Sequence, residues 1–188
     1  MKDTTTQPEK GSKLKELFNF MVYLALIFVL SYLLIQYVGQ RTCVIGESME
    51  NTLQDGDNLI VDKITYRMKN PERFDIFVFP YQYKEKTYYV KRIIGLPGET
   101  VQIMPNGTIF INGQELEETY GREVIKEAGL AAKPITLGED EYFVLGDNRN
   151  YSSDSRAVDV GNIKRDDIVG RVWLRIYPFD SFGLISHR

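Results

Sequence analysis

Ser48 and Lys91 are the side chains whose types most readily suggest covalent chemistry, a hydroxyl nucleophile and a potential base. A serine hydroxyl attacks a carbonyl efficiently only when a neighbouring group takes its proton, and histidine usually does so. The chain has a single histidine, His187, one residue from the C-terminus, where a frayed tail is a poor platform for a Ser-His-Asp triad. A serine hydrolase built here therefore needs another base. A lysine qualifies only if burial depresses its pKa and leaves the amine neutral. Cys43, the lone cysteine, can form neither an intrachain disulfide nor a cysteine-rich zinc site.

Three segments carry the candidate residues. Segment 46–53 reads Gly-Glu-Ser-Met-Glu-Asn-Thr-Leu and runs into Gln54-Asp55-Gly56-Asp57, turn chemistry that puts Ser48 on a loop. Taken alone, a loop serine is more often a turn or capping residue than a nucleophile. Segment 88–98 reads Tyr-Tyr-Val-Lys-Arg-Ile-Ile-Gly-Leu-Pro-Gly, and strand periodicity sets Lys91 on one face with Tyr89 and Ile93. There the amine either snorkels to water or is desolvated, and periodicity alone does not choose between them. Segment 146–156 offers Asp147, Arg149, Asp154 and Arg156, with Ser152 among them. Those charges either form fixed ion pairs that stiffen a loop beside a site or face solvent as an ordinary polar loop.

The elements that must position these residues divide the chain in three. Residues 1–16 form a polar tail containing Lys2, Lys10, Lys13 and Lys15, and residues 17–40 carry no formal charge. Roughly 20 apolar residues, at about 1.5 Å each, span a hydrocarbon core of roughly 30 Å, so 17–40 is expected to be one transmembrane helix. The run is longer than a signal-peptide core and no clean Ala-x-Ala site follows it, which favours a retained anchor. Four lysines precede the span and Arg41 alone follows closely, so the tail is expected in the cytoplasm and 41–188 on the outer side of the cell membrane. Alternating and β-branched runs predict strands at 58–64, 75–79, 87–96, 99–104, 108–111, 142–145 and 168–177. The stretch 122–132 is the best short helix candidate, inside a polar excursion at about 112–138 that reads as a small insert or cap. The fold class expected is mainly β, an antiparallel β-rich domain behind one membrane helix.

In this order and behind an anchor, the three segments closely resemble the boxes of bacterial type I signal peptidases. Ser48-Met49 with Thr52-Leu53 looks like the nucleophile box, 89–98 like the general-base box, and 146–149 with Ser152, Asp154, Ser155 and Arg156 like the last box. The resemblance runs from about residue 44 to 179 and implies an endopeptidase that removes signal peptides from secreted preproteins. It implies that Ser48 Oγ attacks while Lys91 accepts its proton, that the Ser48 backbone N–H serves the oxyanion hole, and that Ser152 orients the lysine. Asp147, Arg149, Asp154 and Arg156 become supporting ion-pair residues, joined by Arg92. The substrates implied end their signal peptides in small residues, the lipid bilayer and the neighbourhood of the secretion channel are the setting, and no cofactor or metal is required.

Two positions depart from the family pattern. Gly46 stands where some members have a serine that also serves the oxyanion, and Asn51 where a proline is common. The short polar excursion resembles compact, single-anchor members. Aromatics at Tyr177, Phe179 and Phe182 fit either a core or a membrane interface.

A net charge of −3 without a long basic run gives no case for nucleic-acid binding. Two other readings stay open: a self-cleaving Ser/Lys protease related to SOS repressors, disfavoured by the anchor, and an inactive membrane-tethered β module that binds peptides.

Overall fold

A computed structural model describes residues 10–37 and 39–187, which fall into two compact units divided after Val38. The first unit contains α1 (Lys10–Tyr37). Its stretch Lys13–Leu33, 21 residues with a mean hydropathy of 1.9 and no buried share, is long and apolar enough to cross a membrane. The helix begins before the uncharged run because lysine, leucine and glutamate at 13–16 are good helix formers. Gly39 and Gln40, counted with the apolar span in sequence, instead open the first strand.

The second unit is built from antiparallel strands. In chain order they are β1 (Gly39–Cys43), β2 (Asn58–Asp62), β3 (Ile76–Pro80), β4 (Tyr88–Gly95), β5 (Thr100–Ile103) and β6 (Ile109–Ile111). They continue as β7 (Gln114–Glu115), β8 (Ile135–Thr136), β9 (Glu141–Leu145), β10 (Ile163–Lys164), β11 (Gly170–Tyr177) and β12 (Gly183–Leu184). The larger sheet runs β1-β2-β11-β3-β4-β9-β10, with β12 on β11, and the smaller runs β7-β6-β5-β8. A short helix, α2 (Thr65–Met68), follows β2.

Period-two alternation explains how these strands join three apolar clusters. On β9, Phe143 and Leu145 enter a cluster with Ile94, Val101 and Ile109, while Tyr142 and Val144 enter one with Phe77, Phe79 and Ile93. On β3 the alternates Ile76 and Val78 join Leu59, Val61 and Val172 in the third cluster. Central strands are thus apolar on both faces, which is why β9 reads as a continuous hydrophobic run.

The helix expected at 122–132 does not form; only a 3-10 turn at Gly129–Ala132 is present. Gly129 sits at φ 54°, against the Arg156 backbone, and Leu130 N–H donates to the Arg156 carbonyl at 2.9 Å. Tertiary contacts therefore take the backbone groups that a helix would use internally. The 112–138 stretch, polar in sequence, still sends Ile125, Ala131 and Leu137 into the core beside β5 and β6.

β11 lies between β2 and β3, where Gly170 leaves no room for a side chain: a Cβ there would sit 2.5 Å from the Asp62 carbonyl oxygen and 2.9 Å from Val61 Cγ1. Gly170→Ala is expected to cost about 1–3 kcal/mol, because backbone must move to accept it. Gly183→Ala, with nothing within 4 Å of its Cβ position, should be near neutral. Urea unfolding of the detergent-solubilised chain checks the pair, and equal midpoints would contradict this packing.

Candidate active site

The loop carrying Ser48 is fixed by its own turns and by the segment after β9. Glu50 N–H donates to the Glu47 carbonyl at 3.0 Å and Leu53 N–H to the Met49 carbonyl at 2.8 Å. From the other side, Asn148 N–H donates to the Ser48 carbonyl at 3.1 Å and Asn148 Nδ2 to the Glu47 carbonyl at 3.1 Å. Met49 and Leu53 anchor the loop in the apolar cluster below. The Ser48 backbone N–H is committed to no carbonyl among the described residues.

Lys91 lies on β4 opposite Phe77 and is only 3% exposed. It does not snorkel. Its Nζ donates to Ser48 Oγ at 2.8 Å and to the Val90 carbonyl at 3.0 Å, and lies 5.0 Å from the centroid of the Tyr89 ring. Desolvation brings its pKa down from 10.5 to about 8, helped by the Arg156 charge and opposed by Asp154 and Asp147. The arrangement joins a half-exposed hydroxyl to a buried amine that loses its proton far more easily than a surface lysine.

The next residue on β4, Arg92, makes the central ion pair. Its Nε and Nη2 donate to Asp147 Oδ1 and Oδ2 at 2.8 and 2.7 Å, with both side chains fully buried. Arg92 also donates to the Phe74 carbonyl at 2.9 Å and to Thr52 Oγ1 at 3.0 Å, while Thr52 Oγ1 donates to Asp147 Oδ2 at 2.5 Å. One network thus links the Ser48 loop, β4 and the segment after β9.

The remaining charges pair as follows. Asp154, fully buried, accepts from Arg156 Nε and Nη2 at 2.8 Å each and from the Gly146 N–H at 3.1 Å. Arg149 donates its Nε to the Gly146 carbonyl at 3.2 Å but makes its ion pair outside the segment, Nη1 donating to Glu118 Oε1 at 2.6 Å. Burial opposes ionisation of Glu118, but Arg149 and the Tyr120 and Gly121 N–H groups hold its carboxyl below the usual range. Ser152 makes no hydrogen bond to the lysine. Its Oγ is buried without a hydrogen-bond partner, and Lys91 takes the Val90 carbonyl instead.

Glu118, Thr52 and Gly146 contribute contacts that the sequence reading did not assign. A Cβ on Gly146 would run into Ser152 Oγ and the Ser48 carbonyl oxygen, so glycine there permits the close approach of two boxes. Gly46 has a positive φ of 93° and donates its N–H to Asp55 Oδ1 at 2.7 Å. A serine would adopt that backbone only under strain. His187 is not on a frayed end: it is buried, accepting the Ile76 N–H on Nδ1 at 3.0 Å and bonding the Val172 carbonyl through Nε2 at 2.8 Å. Burial lowers its pKa to about 4, and its ring bonds commit it to the core, so it is no partner for Ser48.

A cleft of about 500 Å³ opens beside the pair, lined by 42–49 on one side and by Lys84, 86–91, Tyr151 and Ser153 on the other. Cys43, free and exposed, lies on its rim. Tyr177, Phe179 and Phe182 are not core; they are 51%, 81% and 60% exposed. Among the described residues no group of three or more His, Cys, Asp or Glu side chains could hold a metal ion.

Sequence comparison then gives the class. The family model for signal peptidase, peptidase S26, matches residues 15–177, and the chain belongs to that family. Among its relatives, signal peptidase I P of Bacillus subtilis subsp. natto is 40% identical over 161 residues, covering 81% of this chain and 84% of that one. Signal peptidase IB of Staphylococcus aureus is 34% identical over 183 residues, covering 89% and 93%. The crystal structure of a signal peptidase I from Enterococcus faecalis V583 aligns with a TM-score of 0.46 and 38% identity, over 55% of this chain and 97% of that one.

Removing one partner of a buried ion pair leaves the other charge uncompensated. Asp147→Ala should therefore destabilise the chain by about 3–5 kcal/mol, far more than loss of an exposed pair. Glu50→Ala, which breaks a pair whose arginine is 49% exposed, should cost under about 1 kcal/mol. Thermal unfolding in detergent compares them, and similar losses would contradict the central place given to Asp147.

Proposed function

We propose that this chain is a membrane-anchored serine endopeptidase that removes N-terminal signal peptides from secreted preproteins, with Ser48 as nucleophile and Lys91 as general base. The observation that carries the reading is the buried Lys91 amine, 2.8 Å from Ser48 Oγ, with its pKa drawn down to about 8. Membership of the signal peptidase family supplies the substrate class.

In the first step neutral Lys91 takes the Ser48 hydroxyl proton as Oγ bonds to the scissile carbonyl carbon. The Ser48 N–H, free of other carbonyls, donates to the developing oxyanion. Collapse breaks the peptide C–N bond, and the Lys91 ammonium returns the proton to the departing amine of the mature protein. The signal peptide remains as an ester on Ser48. Lys91 then takes a proton from a water whose oxygen attacks that ester; as the ester C–O bond breaks the ammonium returns the proton to Ser48 Oγ, and the released acid ionises to a carboxylate.

The cleft is the place for an extended peptide, and small side chains near the cut are what family membership leads us to expect. Its walls include strand segments at 42–43 and 88–91, whose edges can pair with substrate backbone. Arg149, Asp154, Arg156, Asp147 and Arg92 act through shape and rigidity, and Asp154, Asp147 and Arg156 also through their field at Lys91, rather than through proton transfer. Helix α1 is the anchor, and the lysines toward its N-terminal end support a cytoplasmic tail with the catalytic unit outside. The exposed Tyr177, Phe179 and Phe182 are suited to the interfacial region of the bilayer. Cleavage takes place beside the secretion channel, where preproteins emerge.

Ser48→Ala and Lys91→Ala should each cut preprotein cleavage by at least about a hundredfold in detergent, with unchanged circular dichroism. Activity surviving either change would falsify the dyad, and a wild-type chain that binds but never cuts would leave the inactive peptide-binding module. The pH profile gives an independent check. Because the base works unprotonated, kcat/KM should rise with pH and level off above about 8. A flat profile across this range would remove Lys91 from the role.

A further inference from the structure

Residues 118–122 lie outside the catalytic boxes and have no regular secondary structure, yet they touch all three. The Tyr120 carbonyl accepts from Asn51 Nδ2 at 2.9 Å, and the Arg122 guanidinium pairs with Glu50. Both partners lie just beyond Ser48 and Met49. The Tyr120 ring packs 3.8 Å from Arg92 Cζ, the residue after Lys91, and 5.0 Å from the Phe74 ring. Arg122 N–H donates to the Asp147 carbonyl at 2.8 Å, and Glu118 accepts from Arg149 at 2.6 Å. Glu118 also holds the segment's own shape by accepting the Tyr120 N–H at 2.7 Å.

From this convergence we infer that residues 118–122 are a positioning strap for the dyad, with Tyr120 its central positioning residue. The inference rests on the Ser48–Lys91 reading. Tyr120 grips the two sides of the dyad by different means: its carbonyl holds the nucleophile loop through Asn51, and its ring holds β4 through Arg92. The separation of Oγ and Nζ depends on how loop and strand are held together. A shift of about 1 Å between reacting groups can cost on the order of a hundredfold in rate.

Asn51 gives the strap a specific purpose. Its φ of 109° is one that proline, fixed near −65°, cannot adopt. A loop that gains stiffness from proline carries its restraint within itself. Here the restraint is delivered from outside, by a side-chain amide bonded to the strap. Packing alone would not require that bond, because Asn51 is exposed and adds nothing to the apolar cluster under the loop.

The test uses the full chain in detergent and a preprotein substrate, with wild type and Ser48→Ala assayed alongside. Tyr120→Leu removes the ring face that packs on Arg92 and should lower kcat by about tenfold or more while KM stays within about twofold. It should also move the acidic limb of the pH profile upward, because a loosened loop lets water reach Lys91. Tyr120→Phe keeps the ring and should restore both kcat and the limb. If Tyr120→Leu does not fold, Asn51→Gly keeps the positive φ, deletes the amide and should show the same kcat loss and alkaline shift. Normal kcat in the folded variants, or a loss matched by the folded fraction with the pH limb unmoved, would overturn the strap. A wild-type chain no more active than Ser48→Ala would instead overturn the dyad beneath it.

Discussion

The ion pair between Arg92 and Asp147 is the constraint on which the site depends. Both side chains are fully out of water, so each charge is compensated by the other rather than by solvent. Their bidentate contact joins β4 to the segment after β9, and Thr52 adds the Ser48 loop to the same junction. Lys91 precedes Arg92 on the strand. The ion pair therefore anchors the backbone from which the amine projects, while the loop bearing the hydroxyl is tied to the pair's other partner. A buried pair of this kind is a weak source of stability against a well-packed apolar alternative, but it is strongly directional. Direction is what a hydroxyl and an amine must have to meet at bonding distance.

The same charges set the electrostatic balance at Lys91. Asp154 and Asp147 favour the ammonium, burial and Arg156 disfavour it, and burial prevails. Because Asp154 is bonded by Arg156 and Asp147 by Arg92, neither carboxylate is free to make a direct ion pair with the lysine. A single loose carboxylate at this position would raise the amine's pKa and hold its proton. The guanidiniums thus influence proton affinity without taking part in proton transfer.

Much of this was legible in the sequence, and what was not has a common cause. Strands such as β9 and β11 announce themselves, the first as a continuous apolar run and the second through its apolar and β-branched content, and Ser48 and Lys91 through their boxes. β1 did not, because Gly-Gln-Arg-Thr-Cys carries no apolar period and is a strand by virtue of its ladder with β2. The Arg149–Glu118 contact spans 31 positions and His187 reaches Ile76 across 111, distances over which no local pattern carries information. Segment 146–156 shows the limit most directly. Its charges read either as one another's partners or as an ordinary solvated loop, yet only Asp154 and Arg156 pair within it, while Asp147 and Arg149 find theirs on Arg92 and Glu118. Ser152, left without a partner, marks where a box assignment and the geometry diverge.

The adjacency of Lys91 and Arg92 on one strand bears on how the chain can vary through evolution. Successive residues of β4 point to opposite faces, so a slip of one position against β3 or β9 would exchange their environments. A guanidinium would then face the serine, and an amine would face Asp147. Deletions or insertions at the tip between β3 and β4 leave this parity intact, whereas one inside β4 inverts it. Lineages descended from this chain are therefore free to change the length of that tip, while residues 88–92, paired in continuous register with β3, must be inherited as one reading frame of faces.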